Sequence, residues 1–169
     1  KPFDDVRVRR AIAAAIDRDA FNKATQGGIG EPATSLLPKQ HWAHETSLES
    51  TIKYDPEGAR KLLAEAGYPN GFEVKMQIAT NIPEDLEAAQ LVSAYLARVG
   101  IKLQIEPLEY GAFLSLMTTG KHGPAYWTQV GLSNPISSLD KHFTALSLWN
   151  ASRIKDARFD TEFSKILAE

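Results

Sequence analysis

Two runs of strict alternation bracket a helical repeat. Phe72, Val74, Met76 and Ile78 alternate with Glu73, Lys75 and Gln77, and Ile101, Leu103 and Ile105 alternate with Lys102, Gln104 and Glu106. Period two marks a strand with one apolar face. Between the runs, Leu86, Ala89, Val92, Leu96 and Val99 recur at helical spacing over residues 84–99, and Gly100 stops the helix. Strand, helix and strand in that order fold as a right-handed crossover between parallel strands. A short helical segment over 110–119, ended by Gly120, then leads to a third strand over 125–130. The middle of the chain thus predicts an α/β layer, a parallel or mixed sheet with flanking helices. The first two strands are unusual in having a polar face, because strands covered on both sides are near-continuously apolar. Either part of that face is open, or chain outside these 169 residues covers it.

The flanks read as helix and connection. Residues 4–24 carry Val8, Ile12 and Ile16 at a four-residue spacing, with Asp4 and Asp5 placed for an N-cap and first turn. Asp17 is a candidate cap for a second short helix through Phe21, ended by Gly27-Gly28. Residues 29–54 form a long connection holding Gly30, Pro32, Pro38, His41 and Trp42. Loops of that length are functional or packed down by their own side chains. Asp55-Pro56 opens another helix, with Ala59, Leu62, Leu63 and Ala66 as its stripe and Gly67 beyond its end. Helical signals return over 137–144 and from Phe159 onward, where Phe159, Phe163, Ile166 and Leu167 share a face.

Composition narrows the chemistry. Lys plus Arg is 19 and Asp plus Glu is 21, a formal net charge of −2. Nucleic-acid binders show a basic excess instead. The absence of cysteine removes disulfides, thiolate metal sites and thiol nucleophiles, and it suits an extracytoplasmic protein. Lys1 opens the chain and its last segment stops within a helical pattern, so residues 1–169 read as a fragment of a longer polypeptide.

No catalytic signature emerges. There is no GxSxG elbow, Walker motif or HExxH helix. His41, His44 and Glu45 lie close in sequence, but a catalytic zinc takes three converging ligands, and these read as loop residues beside Trp42. Gly27-Gly28-Ile29-Gly30 follows a helix instead of opening one, which makes it a turn and not a phosphate cradle. Polar and aromatic residues do gather after the strands: Thr80 and Asn81 after the first, Tyr110 after the second, Trp127 and Gln129 on the third, Ser133 and Asn134 beyond it. Open α/β sheets take ligands outside the carboxyl ends of their strands. Aromatics there supply contact area, and amides and hydroxyls orient a polar ligand.

These residues also carry a resemblance. The stretch from Pro2-Phe3-Asp4-Asp5-Val6 to Ile16-Asp17-Arg18 resembles the helix opening the carboxyl-terminal lobe of the oligopeptide, dipeptide and nickel class of ABC-transporter solute-binding proteins, family 5. Gly30-Glu31-Pro32-Ala33, Tyr54-Asp55-Pro56, Leu62 through Phe72, Gly100-Ile101, Glu109-Tyr110 and Phe159-Asp160 follow in that family's order. The resemblance implies one lobe of a bilobal, type II-like periplasmic-binding-protein fold. Its implied role is a non-enzymatic receptor that closes on a small polar or peptide-like solute and delivers it to a permease. Such a receptor is periplasmic or extracellular, lipid-anchored in some members, and monomeric; from the missing signatures in the residues themselves, no metal, cofactor or nucleic acid is expected in this chain. Tyr110 matches a position where the family often places an aromatic facing the cleft. Peptide-binding members use an Asp after the third strand for the peptide's amino terminus, whereas no Asp or Glu occurs here from Tyr110 to Leu139. Two other readings stay open: the sensor lobe of a transcriptional regulator, and a metal-dependent hydrolase built on His41, His44 and Glu45.

Overall fold

The computed structural model describes residues 2–33, 37, 39–42, 44–126, 135–150, 152–153 and 155–168. The amino-terminal stretch folds as two helices, α1 (Val6–Ala15) and α2 (Arg18–Gln26), and not as one. Asp5 caps the first, its carboxylate accepting the Arg7 N–H at 2.8 Å. Ile16 and Asp17 are extended, and the Asp17 carboxylate accepts the Ala20 N–H at 3.0 Å. An aspartate competing for backbone donors breaks a helix at that point. The second helix outruns the expected end at Phe21 and stops at Gly27, whose φ of +61° suits glycine.

Helix α3 (Pro56–Glu65) opens as its residues dictate. Pro56 needs no donor in the first turn, and Asp55 accepts the Gly58 N–H at 2.8 Å. It closes in a Schellman motif: the Tyr68 N–H reaches the Leu63 carbonyl at 2.8 Å and the Gly67 N–H that of Ala64 at 3.0 Å. Tyr68 then packs edge-on against Phe72, ring centroids 5.1 Å apart, where the sheet begins.

The sheet has three parallel strands among the described residues, in the order β2-β1-β3: β1 (Phe72–Ala79), β2 (Ile101–Leu108) and β3 (Ala125–Tyr126). Register runs from Phe72 opposite Ile101 to Ala79 opposite Leu108, and Gln77 and Ile78 face Ala125 and Tyr126. The rest of the expected third strand, 127–130, lies outside the described residues. Gly71 and Gly100 abut where β1 and β2 start. Gly71 has φ +71°, and a Cβ on it would run into the Gly100 carbonyl.

Two crossovers cover opposite faces. Helix α4 (Pro83–Ala97) joins β1 to β2 and packs Ala89 on Met76 and Ile78, with Leu103 and Ile105 beside them. Helices α1 and α3 extend this side through a core of Val8, Ala11, Ala15, Ala59, Leu63, Leu96, Val99 and Ile101. Helix α5 (Tyr110–Thr119) lies on the other face, where Phe113 and Met117 bury Ala79 against Leu108. Beyond that end the polar face stays open: Glu73, Lys75, Lys102 and Gln104 are exposed. Gln104 donates to Glu73, and Gln77 donates to Glu106 at 3.4 Å. The period-two polarity of both strands therefore matches an uncovered half-face among the described residues. Helices α6 (Pro135–Phe143) and α7 (Ala157–Ala168) close the chain, joined through Phe143, Phe159 and Phe163. Arg153 between them donates to the Met117 and Thr118 carbonyls at 2.9 and 2.7 Å, tying this pair to the end of α5. No helix among the described residues is long and apolar enough to cross a membrane.

Candidate functional site

The strand order sets where a ligand can sit. The chain leaves β1 toward β2 over one face, then passes from β2 back across β1 to β3 over the other. The winding reverses between β1 and β3, and a crevice opens at the carboxyl ends flanking such a reversal. Thr80 and Asn81 stand at the exit of β1, both exposed. The Thr80 N–H donates to the Leu108 carbonyl at 3.0 Å, which holds the exits of β1 and β2 together. Tyr110 is the first residue of α5, 39% exposed at the same end of the sheet. Glu109 before it is committed to the helix: its carboxylate accepts the Gly111 and Ala112 N–H groups at 2.8 and 3.2 Å. Those backbone donors hold its pKa below the usual carboxylate value.

Of the seven expected site residues, Thr80, Asn81 and Tyr110 thus share one end of the sheet, and Trp127, Gln129, Ser133 and Asn134 lie outside the described residues. A feature not anticipated from the residues adjoins this end. A cleft of about 580 Å³ starts at Ile82, the residue after Asn81, and runs between α2 and the first half of α4, past Glu31 and Pro32. A second cleft of about 660 Å³ lies under residues 37–54, and the two meet at Arg18. Both volumes fall in the range of small-molecule sites. The only sequence signal was Asp17-Arg18-Asp19, which reads locally as the first turn of a helix.

The histidines of the long connection have other work. The two ring nitrogens of His44 lie 2.9 Å from the Leu37 carbonyl and 3.0 Å from the Glu49 carboxylate, with Lys39 3.7 Å from the same carboxylate. The Leu37 carbonyl first and the Glu49 carboxylate second raise the His44 pKa above its ordinary 6.5, against burial and the Lys39 charge. His41 packs on Trp42, centroids 5.5 Å apart. Among the described residues no three His, Asp or Glu side chains are grouped to hold a metal ion. The glycines at 27–30 follow the carboxyl end of α2, the negative pole of its dipole, where an anion is unwelcome.

A doubly wound sheet open at its carboxyl end is common to many α/β folds, and likeness to solved structures makes this one a lobe of a periplasmic-binding-protein fold. The chain superposes on the periplasmic binding protein DppA of Helicobacter pylori, solved in complex with peptide STSA, with a TM-score of 0.84 and 27% identity. That match takes in 98% of this chain and 33% of the other. The chain belongs to the bacterial extracellular solute-binding proteins, family 5, whose middle-region model matches residues 1–144. It is 35% identical over 127 residues to the dipeptide-binding protein of Escherichia coli K12, and 40% identical over 105 residues to heme-binding protein A of Haemophilus influenzae. The matches cover 72% and 60% of this chain but only 23% and 19% of those relatives' lengths. These relatives are named for binding, not catalysis, and nothing in them supports a hydrolase or a regulator's sensor.

Proposed function

We propose that the chain is one lobe of the solute receptor of an ABC importer. It captures a small polar or peptide-like solute in a cleft between this lobe and a second one, closes on it, and delivers it to a membrane permease. The observation that carries this reading is the open carboxyl end at the β1/β3 reversal in a chain of this family, with Thr80, Asn81 and Tyr110 following the strands at that end. Trp127, Gln129, Ser133 and Asn134, next along the chain from β3, complete the set of solute contacts. The receptor catalyses nothing, acts as a monomer, and works in the periplasm or on the outer cell surface, tethered by lipid where no outer membrane confines it.

With no acid between Tyr110 and Leu139, this segment offers a solute amide, hydroxyl and aromatic groups and no partner for an ammonium. Hydroxyl- or amide-rich solutes suit such groups. The test is the intact polypeptide purified with whatever it carries and examined by native mass spectrometry, followed by calorimetry with that solute. Tyr110→Ala and Trp127→Ala are each expected to weaken binding by about 1–2 kcal/mol, as buried aromatic anchors do. Unchanged affinity in both variants would move the site away from this end of the sheet.

A further inference from the structure

We propose that Arg18 is a carboxylate anchor, an extension of the solute site along α4 into the cleft beside it. Among the described residues, Arg18 is the one cation in the wall shared by both clefts, beside Ile16, Glu31, Pro32 and Ala33. It is partly buried, whereas every other arginine of the chain is described and exposed. Arg7, Arg9, Arg60 and Arg153 all spend their guanidinium groups on carboxylates or carbonyls. Arg18 makes no hydrogen bond or ion pair with the described residues. Burial alone acts on its pKa, lowering it, and no carboxylate offsets that. A guanidinium remains charged regardless, so five N–H donors in a planar fork stand ready between two cavities. The group that matches such a fork is a carboxylate, held by two parallel hydrogen bonds.

The surroundings choose the kind of anion. The Asp17 carboxylate is occupied by the Ala20 N–H, and that of Glu49 by His44 and Lys39. Glu31, Glu84 and Glu87 stand exposed on the rim, with Asp85 buried beneath. A dianion such as phosphate meets that acidic rim, whereas a single carboxylate is matched by Arg18 and carries less charge past it. The floor of Phe21, Ala88 and Val92 accepts an apolar side chain next to the carboxylate. The fitting solute class is an amino-acid- or peptide-like monocarboxylate with its acid end on Arg18, any ammonium beside the acidic rim of Glu31, Glu84 and Glu87, and its amide or hydroxyl groups toward Asn81.

This inference rests on the receptor reading above, and the experiment separates the two. The intact polypeptide is screened by thermal shift against a dipeptide library with free carboxyl ends and against the same library carboxyl-amidated. Amidation of the best binder is expected to weaken it about tenfold or more, the loss of one charge-assisted pair. Arg18→Gln should cause a similar loss, amidation should then cost nothing further, and Arg18→Lys should recover part of the affinity. Lys39→Gln, on the far cleft wall, should leave the preference for the free acid intact. Binding insensitive to amidation, or losses from Arg18→Gln and amidation that multiply, would overturn the anchor while leaving the receptor standing. Scattering of the solute-free protein provides a second arm. A change in lobe closure on Arg18→Gln with the free-acid preference retained would assign Arg18 to an acid of the other lobe and also overturn the anchor. Binding of neither library by a protein that carries no solute would overturn the receptor reading and the anchor with it. Should Arg18→Gln fail to fold, Arg18→Lys and the wild-type amidation series still decide.

Discussion

At the scale of single residues, sequence position alone identified the positions where the backbone has little freedom. Asp55-Pro56, Gly67 and Gly120 each announced a helix end, because a cap or a positive φ needs a particular residue type. Gly71 is the strictest case, with both a left-handed φ and the Gly100 carbonyl in its way. Gly71→Ala is expected to destabilise by roughly 1–3 kcal/mol in urea unfolding. Gly67→Ala, also at positive φ but with open space around it, should cost only about 1–2 kcal/mol. Arg18 was illegible for the opposite reason. Its immediate neighbours describe a helix start, and its burial depends on α4, more than sixty residues further along. A titration belongs here too. Glu109 has a folded pKa below its unfolded one, so its stabilising contribution is present above the ordinary glutamate value and is lost as pH falls through the folded value. Glu109→Gln should flatten the acid limb of the stability profile, read by thermal melts from pH 7 down to pH 3.

At the scale of elements, the two long strands and the cap opening the second helix were legible, and the length of that helix was not. Period-two alternation is written into Phe72–Ile78 and Ile101–Ile105 themselves, and the polar half of that pattern reports a face that stays open. The break at Ile16-Asp17 falls where Asp17 reads as a cap despite the alanine-rich run before it, its carboxylate accepting the Ala20 N–H. The connection at 37–54 folds down partly through His44. Its folded pKa lies above 6.5, so the contribution is complete below that value and is lost as pH rises through the folded pKa. A ring-resonance titration should place His44 above the ordinary histidine value, and Glu49→Gln should bring it back down. Helix α5 depends on a partner outside itself. Arg153→Met removes the donor from its last carbonyls and should cost about 1 kcal/mol, with faster amide exchange confined to the final turn.

At the scale of the whole molecule, strand order does what no local motif does. Nothing in residues 72–79 states that β1 will be central, yet the order β2-β1-β3 brings Thr80, Asn81 and Tyr110 to one end. The expectation of a site there was readable only through the topology that the α/β pattern implies. In the receptor proposed above, the cleft shared with a second lobe also sets the affinity. This lobe alone leaves one side of the solute wet, so calorimetry should find the intact polypeptide far tighter for the same solute. Equal affinities would place the whole site within these residues. The bond from the Thr80 N–H to the Leu108 carbonyl has a mechanical consequence. A load applied at the exit of β1 passes at once to β2, and through Ala79 and Leu108 to Phe113 and Met117 of α5. The tip of the sheet therefore does not yield separately from the packed body behind it, and in the receptor proposed above it acts as a stiff lever between a seated solute and the rest of the polypeptide.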